Sequence, residues 1–144
     1  MPTLATARPA ITARLHACRR VNRDRGSTSL QLVILFPAVL LLIFGGVQTA
    51  LYYYARNVAI AAAQEGARAA AAQYGSASAG SSAATSFIAQ AGGNDALPES
   101  RVASSRSAVT ATVQVGGRSL SLIPGYAGIV INQSASVPVE RITQ

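Results

Sequence analysis

From Leu32 to Val47 the chain carries no charged residue, and the stretch follows an arginine-rich leader ending in Asp24-Arg25-Gly26-Ser27. No other feature limits the possible folds so strongly. The apolar character extends over the 25 residues from Leu30 to Tyr54, interrupted only by Gln31, Gln48 and Thr49 before the Tyr52-Tyr53-Tyr54 cluster. At roughly 1.5 Å per residue, a helix of that length reaches about 37 Å, against a hydrocarbon core of about 30 Å. Three tyrosines at the end of such a run suit the membrane–water interface, where the ring is buried and the hydroxyl stays wet.

The flanks set the direction of crossing. The first 26 residues hold Arg8, Arg14, Arg19, Arg20, Arg23 and Arg25 against one acid, Asp24. Arginines near the end of a span stay cytoplasmic, which puts the N-terminus inside and everything after Tyr54 outside. Nucleic-acid binding is the sharper reading of such a leader, but it has no interleaved aromatic residues and no recognition motif. A cleaved secretory signal fits poorly, because its apolar region is about 7–15 residues long and ends in a small-x-small site. Here Leu51 and three tyrosines occupy that place.

Of the formal net charge of +7, the leader supplies most; after Tyr54 six arginines face four acids, Glu65, Asp95, Glu99 and Glu140. The single cysteine, Cys18, lies in the leader, so an outer domain must fold without a disulfide of its own. A chain of 144 residues leaves room for one small domain beyond the span.

Beyond the span the helix is predicted to continue through Ala55 to Gln73, which is rich in alanine, the best helix former. Asn57, Gln64 and Arg68, with Glu65 beside them, fall on one side. Ala59, Ala62, Gly66, Ala69 and Ala70 line the other, a small-residue face that lets a second backbone approach closely. Glu65 and Arg68 form an i,i+3 pair read as a solvated face. The helix is expected to stop near Tyr74-Gly75, before a Gly/Ser/Ala stretch through Ser82. A second helix is expected over 83–91, capped by Ser82 and ended by Gly92-Gly93, with Phe87 and Ile88 as its anchors. A loop containing Pro98 follows.

The period then changes. Val109, Ala111, Val113 and Val115 alternate with Thr110, Thr112 and Gln114, the mark of a half-buried strand. Gly116-Gly117 reads as a hairpin turn, and Leu120 and Leu122 as a return strand. Ile129-Val130-Ile131 and a last strand over 134–142, placed at a sheet edge by Pro138, complete the pattern. The fold class is therefore α+β and membrane-anchored: a long N-terminal transmembrane helix extended outside the membrane, a short second helix, and a small antiparallel sheet of three or four strands. The implied organisation is a leader 1–26, a span 27–54, an outer helical continuation 55–74 and a small domain 75–144.

Enzymatic constellations are missing by location. The only histidine, His16, lies in the leader, so neither a Ser-His-Asp nor a Cys-His arrangement, nor a His/Cys metal site, can form outside. Asp95 and Glu99 flank Pro98 in a polar loop and read as solvated. Gly116-Gly117 has no following helix with which to cradle a phosphate. No catalytic residue, metal or cofactor is expected.

Arg25-Gly26-Ser27-Thr28-Ser29-Leu30-Gln31, an apolar helix containing Pro37, Leu51-Tyr52-Tyr53-Tyr54-Ala55-Arg56, and Ala63-Gln64-Glu65-Gly66-Ala67-Arg68-Ala69-Ala70 together resemble the TadE family, pilin-like minor subunits (pseudopilins) of the bacterial tight-adherence, or Flp, pilus machinery. Ile123-Pro124-Gly125 and the segment Ser134 to Arg141 resemble the C-terminal ends of actinobacterial members. The resemblance implies a class III signal peptide cut by a prepilin peptidase on the cytoplasmic face, between Gly26 and Ser27. It implies other pilin-like subunits, the pilus or secretion platform and membrane lipid as partners, and no nucleic acid. Read from the residues alone, the alternative for Gly26 is a flexible helix entry with Ser27 or Thr28 as cap.

One departure stands out. Pilin-like subunits usually carry glutamate at the fifth mature position, where this chain has Gln31. A glutamate can neutralise a neighbour's N-terminal amine inside the membrane, where an unpaired charge is costly; glutamine supplies only a hydrogen bond. That favours a minor or initiating role over a major filament subunit. The competing function is an uncleaved single-pass anchor whose outer sheet binds a ligand.

Overall fold

The structure, a computed structural model, describes residues 24–140, with side chains from residue 31 onward. The leader arginines up to Arg23, His16 and Cys18 fall outside the described residues, and of Gly26 and Ser27 only the backbone is described. The chain divides into two units, Met1–Leu42 and Ile43–Gln144.

Helix α1 spans Asp24–Ala71, 48 residues, and contains Pro37 without being ended by it. It ends within a few residues of the expected Tyr74-Gly75 stop. Over Gln31–Ala71 it is long and apolar enough to cross a membrane. In the first unit its large apolar side chains, among them Leu32, Ile34, Phe36 and Leu41, are exposed.

The second unit holds the rest of α1, helix α2 (Ala77–Gln90), a 3-10 turn at Gly93–Asp95, and three strands, β1 (Arg101–Arg106), β2 (Thr110–Arg118) and β3 (Val130–Pro138). The strands form an antiparallel sheet in the order β1-β2-β3. Ala111, Val113 and Val115 of β2 and Ile131 of β3 point inward. Val113, Val115 and Ile131 meet Ile88 of α2, Leu97, and the alanines Ala55, Ala59, Ala62, Ala63 and Ala67 of α1 in one core. Ala70, Ala71 and Ala111 form a smaller cluster beside it. The opposite face of β2 carries Thr110, Thr112 and Gln114, as the alternation predicts. The sequence expectation of an α+β chain with a short second helix and a small antiparallel sheet is met, with three strands among the described residues.

Several elements differ in detail. α2 starts at Ala77, six residues before the expected start, because Ser76 rather than Ser82 is its N-cap; Ser76 Oγ accepts from Ala79 N at 3.1 Å. The Gly/Ser/Ala run before Ser82 is therefore helix. Its glycine has a packing reason: a Cβ on Gly80 would lie 2.9 Å from the Gly66 carbonyl oxygen, and one on Gly66 would lie 2.7 Å from that of Gly80. The two helices touch backbone to backbone at this point.

β1 has no counterpart in the sequence reading, because Arg101–Arg106 holds only small and charged residues besides Val102. Gly116-Gly117 is not a hairpin turn. Gly116 pairs with Arg101 and Asn132, and Gly117 with Ile131, so the ladder runs straight through. Gly117 makes room instead: a Cβ there would lie 2.6 Å from Leu97 Cγ. The true turn is four residues with Ser107 at its head. Ser107 N donates to Thr110 O at 2.8 Å, and Ser107 Oγ accepts from Thr110 N at 2.9 Å. The expected return strand at Leu120 and Leu122 lies in the loop between β2 and β3. Pro138 closes β3, an edge strand, as its missing N–H requires.

Candidate functional site

The candidate site is α1 itself, and its sequence-predicted residues separate into two environments. Gln31 is exposed at the start of the described side chains. From Leu32 to Val47 the large apolar residues remain between 41% and 76% exposed. Gly45 and Gly46 have nothing within 4 Å of where a Cβ would stand. Thr49 Oγ1 donates to Gly45 O at 2.8 Å, returning its hydroxyl to the helix's own backbone. A helix surface that exposes large apolar side chains in this way matches a lipid environment.

Further along, the small-residue face is already occupied. Ala59, Ala62 and Ala70 are fully buried and Gly66 is buried, while Ala69 is half-buried. Gly66 faces Gly80 and Ala84 of α2 and Val113 of β2. The close approach expected of this face is made, but within the chain: α2 and the sheet take the place expected for sister subunits. The physical reason is shared by both cases, since a strip without large side chains admits any backbone or sheet that fits it.

The polar side of the same stretch is solvated. Glu65 Oε2 and Arg68 Nη1 lie 3.6 Å apart with both side chains at least half exposed, the open i,i+3 pair read from the sequence. Asp95 and Glu99 are exposed as well; Glu99 pairs not with Asp95 but with Arg118 Nε, at 3.1 Å. This pair rims a shallow hollow on the outer side of the sheet, lined also by Arg101, Gln114 and Asn132. Among the described residues no group of three or more His, Cys, Asp or Glu is placed to hold a metal ion.

Among the described residues three side chains, Gln48, Tyr54 and Arg106, tie the second unit to its own part of α1, and the sequence reading missed all of them. Gln48 Nε2 donates to Leu120 O at 3.1 Å, and Leu122 N donates to Gln48 Oε1 at 3.1 Å. The tyrosine hydroxyl of Tyr54 donates to Ala91 O at 2.8 Å, just past the end of α2. Arg106 Nη1 donates to the carbonyls of Ala70, Ala72 (2.9 Å) and Gly75 (2.7 Å), capping the C-terminal end of α1 with a cation where its dipole is negative. The signal for Gln48 was present: an amide in an apolar run is costly unless its donors and acceptor are satisfied. Nothing local marked Arg106, whose partners lie more than 30 residues away.

No curated protein and no solved structure matches the chain. One family model does, and its match lies wholly inside α1, ending at Arg68 and so leaving out the tail after β2 that carried a second resemblance. Residues 26–68 carry the sequence signature of the family described as TadE-like protein.

Proposed function

We propose that the chain is a pilin-like minor subunit, a pseudopilin, that takes part in assembling a Tad/Flp-type pilus or a related secretion apparatus through the membrane half of α1. The observation that carries this reading is the coincidence of two things on one segment. The TadE-like match covers 26–68, and within it the large apolar side chains of the band Leu32 to Val47 are exposed. Such a band is satisfied first by lipid and then, in an assembly, by the helices of other pilin-like subunits, which need no catalysis to associate.

The rest of the role follows from the same helix. The arginine leader keeps the N-terminus cytoplasmic and the second unit extracytoplasmic. A prepilin peptidase removes residues 1–26, leaving Ser27 as the new N-terminus. Gln31 then offers a hydrogen bond in place of a charge pair, which suits a minor or initiating position. Ala59, Ala62, Gly66 and Ala70 serve this function indirectly, by seating the outer domain on the helix. The competing reading, an uncleaved anchored binding module, draws on the polar outer face of the sheet and the hollow between Glu99 and Asn132.

Intact-mass measurement of protein recovered from membranes separates the two. Loss of residues 1–26, blocked by Gly26→Leu, is expected of the pseudopilin. A full-length product in a host with an active prepilin peptidase selects the anchored module.

A further inference from the structure

The loop between β2 and β3 has a construction that neither the sheet nor the core explains. From Ser119 to Val139 the chain has no charged residue. Ser119 N donates to Ile129 O at 2.9 Å, and Ile129 N donates to Ser119 Oγ at 3.0 Å, so the neck of the loop is closed. At the tip, Tyr126 N donates to Ile123 O at 3.1 Å across Pro124 and Gly125, with Gly125 at φ 80°. Proline followed by a glycine of positive φ is a type II turn, a stiff one. This rigid loop holds its apolar side chains outward: Leu122 is 47% exposed, Ile123 57% and Tyr126 49%. An ordered, uncharged loop that presents large apolar groups to its surroundings marks a contact surface.

Its place on α1 identifies the occupant. Gln48 clasps the loop at both Leu120 O and Leu122 N. A hydrocarbon core of about 30 Å takes about 20 helical residues at about 1.5 Å each, which counted from Leu30, where the apolar run begins, ends at Thr49. Gln48 therefore stands in the last turn of the span, beside the exposed Ile43, Phe44 and Val47 of the same unit. At that depth an unsatisfied amide is costly, and the loop's backbone supplies what the helix cannot.

We infer that the loop from Leu120 to Ile129 is a second membrane element, which lies in the outer headgroup region with Leu122, Ile123 and Tyr126 inserted toward the acyl chains. Tyr126, half-exposed like Tyr53, joins a hydroxyl to an apolar ring, the side chain suited to that layer. With α1 it gives the outer domain two points of contact with the bilayer instead of one. The domain is then fixed in height and rotation before any partner arrives. The inference rests on the membrane reading of α1 proposed above.

The chain has no tryptophan, so single tryptophans report cleanly. The full chain is reconstituted into phosphatidylcholine vesicles as Tyr126→Trp or Leu122→Trp, with Phe44→Trp as the span control and Gln114→Trp, on the outer face of β2, as the water control. Blue-shifted emission at Tyr126→Trp and Leu122→Trp, lost when the lipids are brominated near the headgroup end of their acyl chains, is the expected result. Emission at both sites like that of Gln114→Trp, with Phe44→Trp quenched, overturns the loop's role and leaves the span intact. A blue shift at both sites without quenching shows burial against protein, within the chain or against a second copy, and also overturns it. Failure of Phe44→Trp to quench overturns the span and the loop together.

Discussion

Within α1, the large apolar residues from Leu32 to Val47 are exposed, whereas the alanines along one face of Ala55 to Ala71 are buried. Both stretches are helical and both present an apolar face, so the presence of such a face does not by itself tell their environments apart. Side-chain size does. Lipid accommodates any shape and rewards large apolar groups, while a folded domain packs closest where the helix surface is flat. The exchange has a consequence for stability. Each buried alanine removes little area from water, so the outer core leans on its few large members, Leu97, Val113 and Val115.

Substitutions can break this comparison directly. Ala62→Leu combined with Gly66→Leu overfills two sites at about 1–3 kcal/mol each, a large share of the roughly 5–15 kcal/mol that holds a small domain together. Gly66 is the harsher of the two, because its new side chain meets the Gly80 backbone. Limited proteolysis should find the outer domain unfolded, whereas Gly45→Leu with Gly46→Leu, in open surroundings, should leave it resistant. Equal resistance in both double variants contradicts the division of the helix. A step lower, Leu97→Ala removes a fully buried side chain and opens the space over Gly117, at a cost of about 2–5 kcal/mol read from chemical denaturation.

Arg106→Met keeps most of the stem but leaves three carbonyls at the end of α1 without their shared donor. A loss of about 1–3 kcal/mol is expected, with faster amide hydrogen exchange around residues 72–75. Unchanged exchange there means the cap contributes nothing. The smallest effect belongs to Glu65→Gln, whose partner Arg68 is 68% exposed; the shift should stay below about 0.5 kcal/mol. A larger loss means that this face is covered in the assembled state, which sharpens the comparison by adding a partner to the helix's polar side.

Much of this division was legible in the sequence. Period and length pointed to the long apolar helix, its continuation and the inward face of β2, because each rests on a local pattern of residue size and polarity. The small face over 59–70 was recognised as a packing surface, yet its occupant was not, since a flat strip carries no label for its partner. Glycine misled in the opposite direction. At Gly117 it answers the distant Leu97, and at Gly80 the distant Gly66, so both were read as turn or linker when they are sites of close approach. β1 stayed invisible because Ala103, Ser104 and Ser105 have no strand preference of their own and are drawn into the sheet by pairing with Gln114, Val113 and Thr112. The ties made by Gln48, Tyr54 and Arg106 span 31 to 74 residues, beyond the reach of any local pattern.

The division of α1 is tested most directly by cross-linking in native membranes, with Cys18→Ser as background. Leu40→Cys is placed in the exposed band, and Ala63→Cys, at a position 1% exposed, in the face held by the outer domain. Adducts with other pilin-like subunits from Leu40→Cys, and none from Ala63→Cys, are the expected result. Adducts from Ala63→Cys, with none from Leu40→Cys, contradict the assignment of the membrane half as the assembly element.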